Sequence, residues 1–261
     1  MGNLQDSPPA TDPRPVFGGV AETYDRIRPA YPKQAVDDVI DFAQAQPGDR
    51  MLEVGAGTGK ATALFAGRSL GVVALEATPE MAEVARRNCA GSDVLVRTCA
   101  FEDWQEEEEA ESFRLVVSAQ SWHWMPADRC ALAHRALVPG GSLAVLWNTT
   151  TWPDPDLRLR LEAIYRRHAP TLTLGGPSTD HWLAEMTDSG PFGSPRRLDY
   201  RFEVVYPIDQ YLELIGTYSD HLVLGPQDLG GLLEAVAEAL DPESDVRVEY
   251  QTKLLLARRA G

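Results

Sequence analysis

The chain has 261 residues, of which 44% are apolar, and its 24 basic and 39 acidic residues give a formal net charge of −15. This apolar content is enough for a packed core of one α/β domain and excludes a wholly disordered chain. No apolar run approaches the roughly 18 residues of a membrane span. The acidic charge argues against a nucleic-acid partner, because proteins that bind phosphate backbones need a basic surface. With no signal peptide, no CxxC pair and no zinc spacing, we expect a cytoplasmic protein without a metal site.

The first half of the chain predicts a tail, two helices and then an alternation of strands and helices. Residues 1–15 contain four prolines and little that could be buried, which predicts a disordered tail. One helix is expected over residues 20–27 and another from residue 33 to the stop at Pro47-Gly48. The alternation that follows is typical of a parallel sheet with helices on both faces. Its expected strands are 50–54, 71–76, 94–99, 113–119 and 142–147, and its helices are 61–67, 79–90, 104–109 and 127–136.

After residue 147 the alternation is interrupted. Residues 148–200 contain six prolines and one clear helix, at 157–168. A strand at 198–206, helices at 208–224 and 228–240, and a last strand at 246–258 then complete the pattern. The sequence therefore predicts an α/β fold with a seven-stranded sheet and an insertion between its fifth and sixth strands.

A glycine-rich turn is the most informative motif. A predicted strand runs directly into Gly55-Ala56-Gly57-Thr58-Gly59 and then into a helix, so the backbone can approach a ligand closely. Lys60 stands where a dinucleotide fingerprint needs its third glycine, which weakens an NAD interpretation, and Ala61 after it excludes a P-loop. Glu53 can reach a ligand ammonium group or orient the loop amides. Glu76, at the end of the next strand, is placed to accept hydrogen bonds from both ribose hydroxyls of an adenosine.

These motifs resemble those of the class I S-adenosylmethionine-dependent methyltransferases, over residues 16–147 and the final strands. Residues 53–59 resemble the family's first motif, Glu76 its ribose acid, and residues 137–143 its turn before the fifth strand. Residues 24–32 and 120–124 are similar to segments of small-molecule methyltransferases of the trans-aconitate type. The resemblance implies a doubly wound, Rossmann-like, mostly parallel sheet of order 3-2-1-4-5-7-6 with an antiparallel seventh strand.

The resemblance also implies a division of the chain and a set of cofactor contacts. A cofactor-binding core with N-terminal lid helices would span residues 16–147, a helical cap over the acceptor site residues 148–200, and the C-terminal part of the sheet residues 201–261. The cofactor would be S-adenosylmethionine, with Arg28 near its carboxylate. The expected cofactor-binding residues are Tyr24, Arg28, Glu53, Gly55, Ala56, Gly57, Thr58, Glu76, Ala77, Met81, Ala100, Phe101, Glu102, Ala119 and Gln120.

Catalytic candidates follow from the chemistry of the transfer. Displacement of a methyl group from a sulfonium mainly needs alignment and exclusion of water. A general base helps when the acceptor is a neutral OH or NH of high pKa. His123, just past the fourth strand, is the candidate base, with packing between two tryptophans as the alternative. The candidates for facing the acceptor, with core or surface positions as the alternative, are Trp122, Trp124, Tyr218, His181 and His221.

The sequence thus predicts an enzyme that methylates the oxygen, nitrogen or carbon of a small-molecule acceptor, with a carboxylic acid or a secondary metabolite as examples. Two alternatives stay open. A cofactor-retaining cyclase on the same fold would show the same glycine turn, and a peptide or protein methyltransferase would need an open groove. The chain has neither the Asn/Asp-Pro-Pro-Tyr nor the Pro-Cys motif of nucleic-acid methyltransferases. The acceptor atom and the oligomeric state do not follow from the sequence.

Overall fold

The computed structural model describes residues 18–104, 110–172, 174, 179–188, 190–241 and 244–260. One seven-stranded sheet has the order β3-β2-β1-β4-β5-β7-β6. Strand β7 is antiparallel to both of its neighbours, and the other strands run parallel to one another. This arrangement confirms the expected fold. The strands are β1 (Arg50–Val54), β2 (Gly71–Glu76), β3 (Val94–Thr98), β4 (Phe113–Ala119), β5 (Leu137–Thr151), β6 (Arg196–Tyr206) and β7 (Val246–Arg258).

Helices cover both faces of the sheet and its carboxyl edge. Short 3-10 turns lie at Gly18–Val20 and Trp122–Trp124. The tail at 1–15 and, apart from Trp104, the expected acidic helix at 104–109 lie outside the described residues. The α-helices are α1 (Ala21–Ile27), α2 (Lys33–Ala43), α3 (Lys60–Ala66), α4 (Pro79–Asn88), α5 (Arg129–Ala136), α6 (Pro155–His168), α7 (Asp180–Asp188), α8 (Ile208–Ile215), α9 (Ser219–Leu222) and α10 (Pro226–Ala239).

The C-terminal half differs from the sequence-based expectation in several places, among them α7, which was not predicted. The prediction of one helix over 208–224 is wrong, because α8 ends at Ile215 and α9 begins at Ser219. Between them the buried Thr217 hydroxyl donates to the carbonyl of Leu214 (2.7 Å), and Tyr218 is extended. Such side-chain bonds to the backbone compete with helix continuation. Strand β5 also continues past residue 147 to Thr151, because its end pairs with β7.

Alternate side chains of the strands build two cores. Leu52 and Val54 of β1 point to the face covered by α5 and by Trp182 of α7, whereas Met51 points to the face covered by α2 and α3. A third cluster joins α6, α8 and α10 to the ends of β6 and β7. The two insertion helices therefore have different positions: α7 packs on a sheet face, and α6 packs at the carboxyl edge.

The carboxyl ends of β1 to β4 meet at one edge of the sheet, because these strands are parallel neighbours. In open α/β sheets this edge is where ligands bind. No helix among the described residues is both long and apolar enough to cross a membrane.

Candidate functional site

A cavity of about 570 Å³ lies at this edge, within the size range of small-molecule sites. Residues after β1 to β4 form its floor, α1 covers one side, and α6, α8 and α9 cover the other. All fifteen residues expected at the cofactor line it, together with His123, Trp124 and Tyr218. His181 is not among its lining residues and instead packs on the ring of Trp182, 5.1 Å between centroids.

The glycine turn after β1 shows why small residues are needed there. A Cβ at Gly55 would lie 2.5 Å from Cβ of Ser121, so only glycine allows this close approach. Gly57 has a φ of +59°, and no atom lies within 4 Å of where its Cβ would be. The turn is thus packed against the protein at Gly55 and open at Gly57, which lines the cavity.

The Glu76 carboxylate is fixed by backbone hydrogen bonds. Its Oε2 accepts from the amide of Gly57 and its Oε1 from the amide of Thr78, both at 2.8 Å. Each carboxylate oxygen can accept more than one hydrogen bond, so ligand hydroxyls can still donate to Glu76. The residue is therefore an acceptor held in one orientation at the end of β2.

Glu53 is a buried carboxyl group with one unused oxygen. Its side chain is fully buried, and Oε2 accepts a 2.6 Å hydrogen bond from Thr62 Oγ1. Oε1 has no partner among the described residues. Burial raises the Glu53 pKa to about 8, against the opposing effect of the Thr62 hydrogen bond, and the charge of Glu76 raises it further. An orphaned carboxyl oxygen lining a cavity is suited to receive a cationic ligand group.

Helix α1 carries Tyr24 and leads to Arg28, both on the cavity wall. Arg28 Nε donates to Thr217 Oγ1 at 2.8 Å, and the guanidinium lies 4.0 Å from the ring centroid of Tyr218. The side chain of Arg26 makes a two-pronged ion pair with Glu213 of α8, at 2.7 and 3.1 Å. Through these contacts α1 closes one side of the cavity against the segment that follows β6.

His123 lies among aromatic rings rather than beside a carboxylate. Its ring centroid is 4.2 Å from that of Trp124 and 4.7 Å from that of Trp147, and its buried Nδ1 has no partner among the described residues. Burial, followed by the charge of Arg129, lowers the His123 pKa to about 3. A base this weak has little driving force to accept a proton, so the site electrostatics favour the packing alternative.

Trp122 requires a correction. Its side chain is fully buried in the core and is not among the lining residues of the cavity. The Arg129 guanidinium lies 5.5 Å from its ring centroid, and Arg129 also donates to its carbonyl oxygen at 3.1 Å. The 3-10 turn at Trp122–Trp124 sends this side chain into the core, whereas Trp124 lines the cavity.

The half of the cavity away from the glycine turn is aromatic. Among the described lining residues the only lysine or arginine side chains are Arg28 and Lys60, and Lys60 Nζ binds the carbonyl oxygen of Asp25. Apart from Arg28, this acceptor half therefore contains no lysine or arginine within the described part of the chain. Its aromatic residues are Trp124, Trp147, Trp152, Tyr165, Tyr211, Tyr218 and Tyr250.

His221, a sequence-based candidate, lines the cavity and forms a hydrogen-bonded chain with Tyr165 and Asp220, two lining residues that sequence reasoning did not find. Tyr165 Oη lies 2.7 Å from His221 Nε2, and His221 Nδ1 lies 2.7 Å from Asp220 Oδ1. Tyr165 and His221 are 56 residues apart and lie on helices α6 and α9. No local spacing signals such a pair, because only the packing of the insertion onto the segment after β6 brings it together.

Comparisons with known proteins agree with this geometry. The family described as a methyltransferase domain matches residues 51–141. An uncharacterised methyltransferase of Mycobacterium tuberculosis is 39% identical over 136 residues, which cover 51% of this chain and 52% of that protein. An uncharacterised methyltransferase-like protein of Schizosaccharomyces pombe is 28% identical over 75% of this chain and 74% of its own length. The match to the mycobacterial relative thus spans about half of its length.

Solved structures share the fold. A putative type II methyltransferase from Anaeromyxobacter dehalogenans superposes with a TM-score of 0.61 at 22% identity, over 88% of this chain and 97% of that chain. A phosphoethanolamine N-methyltransferase of Haemonchus contortus, in complex with phosphomonomethylethanolamine and S-adenosylhomocysteine, gives a TM-score of 0.58 at 16% identity. That superposition covers 98% of this chain and 62% of the other.

Proposed function

We propose that the chain is a class I S-adenosylmethionine-dependent methyltransferase and that it transfers a methyl group from S-adenosylmethionine to a small-molecule acceptor. The observation that carries the proposal is a single cavity with two chemically different halves. One half is built from the glycine turn and the acidic residues Glu53 and Glu76. The other half is aromatic and is lined in part by α6, α8 and α9.

The polar groups of the first half fit the cofactor. Its sulfonium supplies the activated methyl group. The orphaned Oε1 of Glu53 suits the ammonium group, and the oriented carboxylate of Glu76 suits the ribose hydroxyls. Arg28 suits the carboxylate. Met81 and Phe101, both buried at the cavity wall, suit the adenine ring.

The second half supports a small acceptor with apolar surface. A cavity of this size, lined on this side by three helices, favours a small molecule over a folded protein, which would need an open groove. A carboxylic acid is less well matched, because Arg28 is the only arginine lining this part of the cavity in the described chain and the cofactor already needs it. The acceptor that we propose is therefore uncharged.

Binding measurements test the cofactor assignment. We expect calorimetry to show that S-adenosylmethionine and S-adenosylhomocysteine bind and that NAD does not. Glu76→Ala should weaken S-adenosylhomocysteine binding by on the order of 10- to 100-fold, since charge-assisted hydrogen bonds to the ribose are lost. Glu83→Ala, which removes an exposed carboxylate from α4, is the matched control and should bind like the wild type. Equal affinities of Glu76→Ala and wild type would remove the ribose assignment.

Product mass tests the reaction itself. Incubation with S-adenosylmethionine and mixed small hydroxyl, amine and carboxylate compounds should give S-adenosylhomocysteine and a product heavier by one methylene unit. A product of unchanged mass would indicate the cyclase alternative. Methylation of added peptides but of no small molecule would indicate the protein-directed alternative.

A further inference from the structure

The chain of Tyr165, His221 and Asp220 has a defined hydrogen-bond direction. A carboxylate only accepts, so His221 Nδ1 carries the hydrogen and donates to Asp220 Oδ1. When the imidazole is neutral, its other nitrogen, His221 Nε2, is the acceptor, and the Tyr165 hydroxyl donates to it across 2.7 Å. Asp220 Oδ1 also accepts from the backbone amide of His221 at 3.0 Å, which fixes the carboxylate.

The burial and charge of the three groups support these roles. His221 and Tyr165 are buried, whereas half of the Asp220 side chain is accessible. Burial raises the Asp220 pKa, but the hydrogen bond and charge of His221, together with Arg28, outweigh this effect and leave it below its usual value. Burial raises the Tyr165 pKa far above its usual value. Asp220 is therefore ionised and Tyr165 is a neutral phenol, which matches the hydrogen-bond direction.

On the basis of the methyl-transfer function proposed above, we propose that Tyr165, His221 and Asp220 form a proton relay that removes the proton from a hydroxyl group of the acceptor. The acceptor hydroxyl donates to Tyr165 Oη, whose own hydrogen points at His221 Nε2. As the acceptor oxygen bonds to the methyl carbon and the methyl–sulfur bond breaks, the acceptor proton passes to Tyr165 and the Tyr165 proton passes to His221. The products are a methyl ether, S-adenosylhomocysteine and an imidazolium ion beside Asp220, so the positive charge moves from sulfur to the ring.

The surroundings select a hydroxyl rather than the other acceptor groups. A carboxylate is already ionised, needs no relay and would lie near the Asp220 charge. An amine attacks through its lone pair and can lose its extra proton to water after transfer. A neutral hydroxyl must lose its proton as it reacts, and the aromatic walls suit a ring that carries it. The weakly basic His123 does not offer a second route.

A chromogenic phenol tests the relay without turnover. 4-Nitrophenol absorbs visible light as the phenolate, so its absorbance reports whether the relay has taken its proton. In the complex with S-adenosylhomocysteine at one fixed pH, we expect wild-type protein to hold more of the bound probe as phenolate than Tyr165→Phe or His221→Asn. His134→Asn and Tyr200→Phe change a histidine and a tyrosine outside the cavity and should behave as wild type. Equal phenolate fractions in relay variants and wild type would overturn the proposal.

Turnover with three matched compounds tests the acceptor class. 4-Methylphenol, 4-methylbenzylamine and 4-methylbenzoate share a ring and differ in the reacting group. We expect the phenol to be methylated, and Tyr165→Phe and His221→Asn to lower kcat by on the order of 100-fold with little change in KM. The loss should be smaller for 4-nitrophenol, which gives up its proton to water more readily. Asp220→Asn keeps a hydrogen-bond acceptor for His221 but removes the charge. Its kcat should lie between that of the wild type and those of Tyr165→Phe and His221→Asn.

Several outcomes would contradict the relay. Methylation of the amine or the benzoate in preference to the phenol would overturn the acceptor class, as would S-adenosylmethionine binding with no turnover of any phenol. If His221→Asn had a lower melting temperature and weaker S-adenosylhomocysteine binding but a normal kcat, these residues would have a structural role. Failure of the wild type to bind S-adenosylmethionine would instead refute the proposed function, so the two failures are distinguishable.

Discussion

Glu53 shows how one buried group links ligand binding to proton release. Its pKa of about 8 lies above the ordinary value of 4.5, so the ligand-free folded protein holds this proton more tightly than the unfolded chain does. Stability of the ligand-free protein should therefore fall as pH rises from about 4.5 to about 8. A bound ammonium group makes the ionised form of Glu53 the favoured one, because its positive charge stabilises the carboxylate.

We therefore expect S-adenosylhomocysteine affinity to rise as pH is raised from about 6 to about 8, by at most roughly tenfold per pH unit, because one proton is released on binding. Calorimetry in buffers of different ionisation enthalpy measures this release directly. Glu53→Gln should bind more weakly and should lose the dependence, and Glu83→Gln on the exposed face of α4 should retain it. If the affinity of Glu53→Gln for S-adenosylhomocysteine depended on pH as strongly as that of the wild type, a group other than Glu53 would be titrating.

Substitution of His123 separates a packing role from a catalytic one. With a pKa near 3, the ring is neutral at working pH and is packed against Trp124 and Trp147. We expect His123→Gln to lower the melting temperature by several degrees, because a packed ring is lost, and to keep turnover per folded molecule within several-fold of wild type. His134→Gln outside the cavity is the control. A loss of turnover on the order of 100-fold in folded His123→Gln would restore the base assignment made from the sequence.

Among the elements, α1 is the one whose contacts allow it to act as a lid. Its ties to the rest of the protein include exposed ion pairs, Arg26 with Glu213 and Glu22 with Arg87. Exposed pairs of this kind contribute little to stability, so these two pairs oppose opening only weakly. Ligand contacts to Tyr24 and Arg28 would add interactions that exist only in the closed state.

Hydrogen exchange tests this lid. Exchange of residues 18–32 should slow when S-adenosylhomocysteine is added, whereas α2, which is packed on the sheet, should not change. Glu213→Gln should speed exchange of α1 in the ligand-free protein because the ion pair with Arg26 is lost. Identical exchange of residues 18–32 with and without ligand would make α1 a fixed part of the scaffold.

How far the sequence predicts each element depends on whether its signal is local. The strands that end in Gly55 and Glu76 were predictable, because apolar runs, glycines and a terminal acid stand next to one another in the chain. The break at Thr217 depends on a buried hydroxyl and was missed. The burial of Trp122 depends on a single 3-10 turn, and the pairing of Tyr165 with His221 depends on two helices meeting across the cavity. Contacts between residues so far apart in the chain produce no local pattern that could be recognised in the sequence.

At the scale of the whole molecule, one cavity joins parts of the chain that otherwise pack in separate clusters. The glycine turn belongs to the sheet core, Tyr24 packs in a small cluster between α1 and α4, and Tyr165 belongs to the cluster of α6, α8 and α10. All three contribute to the cavity wall. A ligand that fills it should therefore stabilise the sheet, the lid and the insertion together.

Thermal unfolding with and without ligand measures this coupling. S-adenosylhomocysteine at about 100 times its Kd adds roughly 2.7 kcal/mol, which should raise the melting temperature by on the order of 5–10 °C for a chain of this size. Near-UV signals from the cavity tryptophans and the far-UV helix signal should move together, because one ligand bridges all three clusters. NAD at the same concentration should give no shift, and Glu76→Ala should give a smaller one at the wild-type ligand concentration. Separate midpoints for the two signals would show that the insertion unfolds on its own, and an equal shift with NAD would contradict the cofactor assignment.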